Sequence, residues 1–270
     1  MSQYIPLSKE RFADHRWDAC GDYRHAEGLT RVPVAAPEIG RCAAHLPLAF
    51  ARDETGKPNL YALTGLVPGK NHCLDAAHKW TAGYVPSFLR THPFQLLRPP
   101  EGKGKPDQMV LCVDAQSPWV SKTGSNSFFD GDGMDATVAP VFQFLTRMTK
   151  HYLKTAQAVA ALDSVGLLAD WPITTLDSAG SAGLLRVNDA AMNKLTGEQL
   201  ARLQQCGALS IAYAQMLSTH QLPRLQALAA ANHNDFGTTA MHEVDDDAPN
   251  TFAEDGGDFD LTSFLSDVRN

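Results

Sequence analysis

No apolar run in this chain approaches the roughly 20 residues needed to cross a bilayer, so no membrane span is expected. The start, Met1-Ser-Gln-Tyr-Ile-Pro-Leu-Ser-Lys-Glu-Arg11, has neither the basic opening nor the apolar stretch of a secretory signal, which makes the cytoplasm the expected compartment. Cysteine is sparse. Cys20, Cys42, Cys73, Cys112 and Cys206 are scattered, odd in number and never paired as C-x-x-C, which argues against a disulfide framework and against a cysteine-based zinc site. They are expected to be reduced and buried, with Cys112 a small core residue inside Met109-Val-Leu-Cys-Val113.

Catalytic signatures are missing as well. There is no G-x-S-x-G elbow, no Walker loop and no G-x-G-x-x-G fingerprint, so nucleophilic and phosphate-cradling chemistry have no support. The ten histidines never fall as H-x-H, H-E-x-x-H or H-x-x-E-H, and no pattern points to a metal or a cofactor. His72 and His78 bracket Asp75, a loop arrangement that lacks a further ligand at fixed spacing. Asp130-Gly-Asp-Gly-Met-Asp135 imitates the opening of a calcium loop. It puts Met134, Asp135 and Val141 where such a loop needs an oxygen ligand, glycine and glutamate. It reads instead as a Gly/Asp turn feeding the next helix.

Bases are almost absent from the end of the chain. Residues 235–270 hold ten acids and one base, Arg269, which leaves 22 of the 23 bases and 20 of the 30 acids to the rest. The net charge of −7 is therefore a property of the tail, and the near-neutral body gives no reason to expect nucleic-acid binding. Within that tail Leu261, Phe264, Leu265 and Val268 fall at i, i+3, i+4 and i+7 behind Asp260, one face of a short amphipathic helix over 260–268. Two readings stand: the face docks on a protein or peptide partner (or on its own domain), or the end is a disordered acidic segment with incidental apolar residues.

The body, residues 1–230, is expected to be one α+β domain, with a strand-rich N-terminal half packed against a helix-rich C-terminal half; residues 231–270 form the acidic tail. Leu46–Ala51 and Leu60–Thr64 predict a hairpin through Asp53-Glu-Thr-Gly-Lys-Pro58. The continuous apolar character of Gln108–Asp114 predicts a strand buried on both faces. Val141, Phe144, Leu145, Met148, Tyr152, Thr155, Ala156 and Val159 keep a 3.6-residue period and predict a helix over Val138–Leu162. Leu184–Val187 predicts a short strand, Asn188 and Thr196-Gly-Glu-Gln199 predict helix starts, and a helical pair over 200–230 is broken at Cys206-Gly207 or near Pro223.

The densest segment is Trp80-Thr-Ala-Gly-Tyr-Val-Pro-Ser-Phe-Leu-Arg-Thr-His-Pro-Phe94, whose aromatics and prolines specify one geometry. Trp80, Tyr84, Arg90 and His92 are its ligand-binding candidates. Arg90 has two readings: a fork for a ligand carboxylate or phosphate, or a donor to backbone carbonyls at the end of a short helix over Val85–Thr91.

Ala62-Leu-Thr-Gly-Leu-Val-Pro-Gly-Lys-Asn71, the Trp80–Phe94 segment, the strand ending at Asp114, Leu184-Leu-Arg-Val-Asn188 and the helix from Leu203 to Leu222 follow one another in an order that resembles the bacterial SapC family. The chain departs from the usual pattern at His72, where the family has an aromatic, and at Thr91, where a second arginine is common. The resemblance implies a link by name to surface layers and brings no catalytic residues with it. The expectation is a non-catalytic binding or accessory protein. The alternatives are a metal-dependent enzyme using histidines and carboxylates, and a surface-layer component exported without a cleaved N-terminal signal.

Overall fold

Thirteen short strands and a set of helices make up the computed structural model, which describes residues 3–99, 108–173 and 183–234. In chain order the first elements are β1 (Tyr4–Pro6), α1 (Lys9–Phe12), β2 (Arg16–Trp17), β3 (Arg31–Pro33), α2 (Ile39–His45), β4 (Leu48–Arg52) and β5 (Pro58–Leu63). Next come α3 (Ser87–Arg90), β6 (Phe94–Leu97), β7 (Val110–Asp114), β8 (Val120–Ser121), β9 (Asn126–Ser127), β10 (Phe129–Asp130) and β11 (Gly133–Met134). The rest are α4 (Val138–Ser164), β12 (Leu168–Asp170), β13 (Leu184–Val187), α5 (Asp189–Met192), α6 (Gly197–Gln205), α7 (Ala208–Ser218) and α8 (Leu222–Asn234). The class is mixed α+β. No helix among the described residues is long and apolar enough to cross a membrane.

The chain divides into two compact units. The described residues of the first are 3–25, 87–99 and 108–151. Its main sheet is antiparallel in the order β1-β7-β6, with Tyr4 opposite Asp114 and Phe94 opposite Val113. A second small sheet has the order β8-β2-β9. The core gathers Phe12, Trp17, Phe94, Val113, Phe128 and Val141, with the Trp17 and Phe94 rings edge to face at 4.8 Å. The Gly/Asp turn forms the β10–β11 hairpin, and Asp135 then receives the amide and hydroxyl of Thr137 as α4 begins.

The described residues of the second unit are 26–86, 152–173 and 183–234. Its five-stranded antiparallel sheet runs β12-β13-β4-β5-β3. The expected hairpin is β4–β5, closed by Asp53, whose carboxylate accepts from Thr55 and Lys57. Pro33 lies on β3, an edge strand, where its missing N–H costs no ladder bond.

Helix boundaries follow side-chain chemistry. The Asn188 side chain accepts from the Ala191 amide, and Thr196 and Gln199 form a reciprocal capping box. Gly207, at φ +75°, separates α6 from α7 in a backbone conformation that costs glycine least. α7 is followed by a 3-10 turn, and Pro223 then sits in the first turn of α8, which begins at Leu222. α7 packs against α2, β13 and β4, with Ile211, Ala212, Gln215 and Ser218 buried.

Two local expectations are corrected. The short helix over Val85–Thr91 is only the single turn of α3, Ser87–Arg90, because Pro86 and Pro93 bracket it. The thiols are not uniformly buried: Cys42, Cys73 and Cys112 are, whereas Cys20 is partly exposed and Cys206, at the end of α6, is exposed. Leu261, Phe264, Leu265 and Val268 lie outside the described residues.

Candidate functional site

The Trp80–Phe94 segment divides between the two units. In the second unit the indole N–H of Trp80 donates to the Tyr84 carbonyl at 3.0 Å, and the Tyr84 hydroxyl donates to buried Glu38 at 3.0 Å. The Arg41 guanidinium lies 5.8 Å from the Tyr84 ring centre. Glu38 also receives the Ala35 amide, so the two aromatics fasten their loop to the start of α2. A Cβ at Gly83 would fall 2.5 Å from the His45 ring, so the chain passes this close only as glycine.

Arg90 and His92 belong to the first unit. Arg90 ends α3 and is partly buried. His92 is 4% exposed and precedes a cis peptide bond to Pro93. Both of its ring nitrogens are engaged: Nε2 lies 2.9 Å from Ser117 Oγ and Nδ1 lies 3.3 Å from the Tyr4 hydroxyl. Its backbone carbonyl accepts the S–H of Cys20 at 3.1 Å. The His25 ring stacks on that of His92, with centroids 4.0 Å apart and planes within 2°.

Neither ring nitrogen of His25 forms a hydrogen bond, although the Leu89 carbonyl lies near enough to favour a proton there. Cys20, His25 and His92 are the cluster of metal-ligating side chains among the described residues, each with a donor atom within 4.8 Å of the others. Around them Asp114 accepts from the amides of Gln3 and Gln116, and Asp22 is clasped by the Arg24 guanidinium.

Electrostatically the nest is neutral. Burial pulls His25 down to about 3, assisted by the neighbouring His92, while the Leu89 carbonyl, Asp22 and Asp114 act against it. Burial likewise pulls His92 down to about 4 against the two carboxylates. Burial, then Asp22, pushes the Cys20 thiol well up, and burial, then Asp114, does the same to the Tyr4 phenol. A thiol primed for attack would share its proton with an imidazole nitrogen and sit low. This one is protonated and spends its hydrogen on a peptide carbonyl.

The chain matches the SapC family model over residues 7–225. It belongs to the SapC family. No curated protein and no solved structure matches it. Within this SapC chain the structure brings one candidate, His92, into a polar cluster, and it links Trp80 to Tyr84 elsewhere. Cys20 and His25 were missed. Their only sequence signal is a Cys-x4-His spacing 67 residues ahead of the third donor, which resembles no compact ligand motif. The other histidine set does not assemble. His72 Nδ1 accepts from the Leu66 amide, Asp75 caps the turn to Lys79, and His78 stands 3.7 Å from Glu27.

Proposed function

We propose that this SapC protein is a binding or accessory protein that performs no covalent chemistry, and that the Cys20–His25–His92 nest is its ligand site. The observation carrying this reading is the destination of the Cys20 hydrogen. It goes to the His92 carbonyl, while the His92 ring is occupied by Tyr4 and Ser117, so no nucleophile–base pair is poised. Partner contact is assigned to the acidic tail, on the phasing of Leu261, Phe264, Leu265 and Val268.

The test is depletion from a metabolite extract, followed by mass spectrometry, with a Cys20→Ser/His25→Ala double variant alongside. No compound is expected to be consumed by the native protein alone. Catalytic consumption seen with the native protein and abolished in the folded double variant overturns the reading. Loss of binding partners on removing residues 235–270 is expected, and unchanged capture by the truncated chain overturns the tail's role.

A further inference from the structure

We propose that the ligand of this nest is a divalent metal ion of zinc type, held by Cys20 Sγ, one ring nitrogen of His25 and Nδ1 of His92. The inference rests on the same site as the binding reading and adds the chemistry of the occupant.

Three observations carry it. First, one thiol and two imidazoles from two stretches of the chain converge within 4.8 Å, a donor set suited to zinc. Second, both nitrogens of His25 lie without a formed hydrogen bond in a partly buried position. A buried polar atom left unbonded costs about 1–3 kcal/mol, and one cause of such an atom is an ion at the site. Third, His92 already has the orientation of a supported ligand. Its Nε2 pairs with Ser117 at 2.9 Å, whereas its Nδ1 contact to Tyr4, at 3.3 Å, is long and readily exchanged. A metal-bound histidine commonly donates its second N–H to an acceptor of this kind.

The arrangement must tighten to bind. Zinc–donor lengths of about 2.0–2.3 Å place tetrahedral donors roughly 3.4–3.6 Å apart, closer than the present spread. Parallel stacked rings cannot both aim an in-plane lone pair at one ion, so one ring turns. His25, with no formed bond to break, is that ring. On binding, the metal–sulfur bond forms as the S–H bond breaks and the proton passes to water. The Cys20 bond to the His92 carbonyl is lost, and no electron is transferred. Three protein donors leave the fourth position for water or a partner's ligand atom.

The experiment uses full-length protein in a Cys206→Ser background, which removes the exposed thiol. The protein is stripped with chelator and titrated with Co(II) and Zn(II). One Co(II) per chain is expected, with thiolate-to-cobalt charge transfer in the near ultraviolet and tetrahedral d–d bands in the red. Cys20→Ser is expected to lose the charge-transfer band. His25→Ala, which removes no formed hydrogen bond and so should keep its circular dichroism, is expected to weaken Zn(II) at least about tenfold.

Absence of metal retained at one per chain, a cobalt spectrum without the thiolate band, or Zn(II) affinity unchanged in both variants overturns the proposal. Metal-loaded protein that consumes a compound would defeat the accessory reading and leave the metal site standing. Failure to bind metal, with no compound consumed, would do the reverse.

Discussion

Replacing Gln215 by leucine should destabilise the second unit more than any exposed change of the same kind. Gln215 is 1% exposed on α7, and its side chain joins two strands of the five-stranded sheet: Oε1 accepts from the Val187 amide at 2.9 Å and Nε2 donates to the Leu48 carbonyl at 3.2 Å. Beside it the Ser218 hydroxyl accepts from the Leu48 amide at 2.8 Å and donates to the Gln215 carbonyl at 2.7 Å. Leucine keeps much of the volume but leaves one buried N–H and one buried C=O unpaired. At about 1–3 kcal/mol each, the loss is roughly 2–6 kcal/mol. For a chain of this size, at about 2–4 °C per kcal/mol, that lowers Tm by about 4–24 °C. Urea unfolding gives the free energy, and hydrogen exchange gives its location, since the Val187 amide should lose protection. Gln204→Leu, at an exposed position on α6, is the control and should stay within about 0.5 kcal/mol. A Gln215→Leu variant that also stays within that margin, with Val187 still protected, would refute the idea that Gln215 ties the two strands together.

A Cβ on Gly65 would overlap the Lys70 carbonyl oxygen, so Gly65→Ala should cost about 3 kcal/mol or more. Gly40→Ala, inside α2 with open space around it, should gain about 0.5–1 kcal/mol, and urea midpoints in the wrong order would contradict both. Because His25 and His92 hold values near 3 and 4, below the ordinary 6.5, metal-free protein should lose stability as pH falls from about 6.5 toward 4. The unfolded chain takes up protons there that the folded chain refuses, at up to about 1.4 kcal/mol per pH unit for each ring, and equal urea midpoints at pH 7.5 and 5.0 would count against the neutral pair. Iodoacetamide should modify exposed Cys206 at least about ten times faster than Cys20, whose thiol is held up by burial and Asp22, and site-resolved mass spectrometry showing the opposite order would mean an activated Cys20.

Local chemistry made the fold legible. The Asp53 turn, the apolar run of β7, the period of α4 and the caps at Asn188 and Thr196 are each written within a few residues, and each appears as read. The site was less legible because its meaning lies in long-range contacts. Trp80 and Tyr84 are ligand candidates in sequence; in the fold the Trp80 indole donates to the Tyr84 carbonyl and the Tyr84 hydroxyl to Glu38, a partner 46 residues away that no local pattern announces. Cys20 sits in irregular chain and His25 in a single 3-10 turn, Arg24–Ala26, with no motif around either. They form a cluster only when His92 arrives from the turn before β6.

The three-stranded sheet of the first unit explains how that arrival is fixed. Tyr4 on β1 stands directly opposite Asp114 at the end of β7, and the Phe94–Val113 pair places His92 just beyond the start of β6. The same end of β7 turns through Ser117, whose amide is bonded to the Asp114 carbonyl, and Ser117 then meets Nε2 of His92 while Tyr4 meets Nδ1. Among the described residues, both hydrogen bonds to the His92 ring thus come from β1 or the turn after β7, which one register ties together. A slip of β1 by one residue would set Ile5 against Asp114 and send the Tyr4 side chain to the opposite face. That slip is resisted by Ile5, which stands opposite Val113, packs against the core of Phe94, Val113, Trp17 and Phe128, and would be turned away from it. The aromatic core therefore does for His92 what a short ligand motif does in other proteins: it fixes the direction of the ring on which His25 stacks.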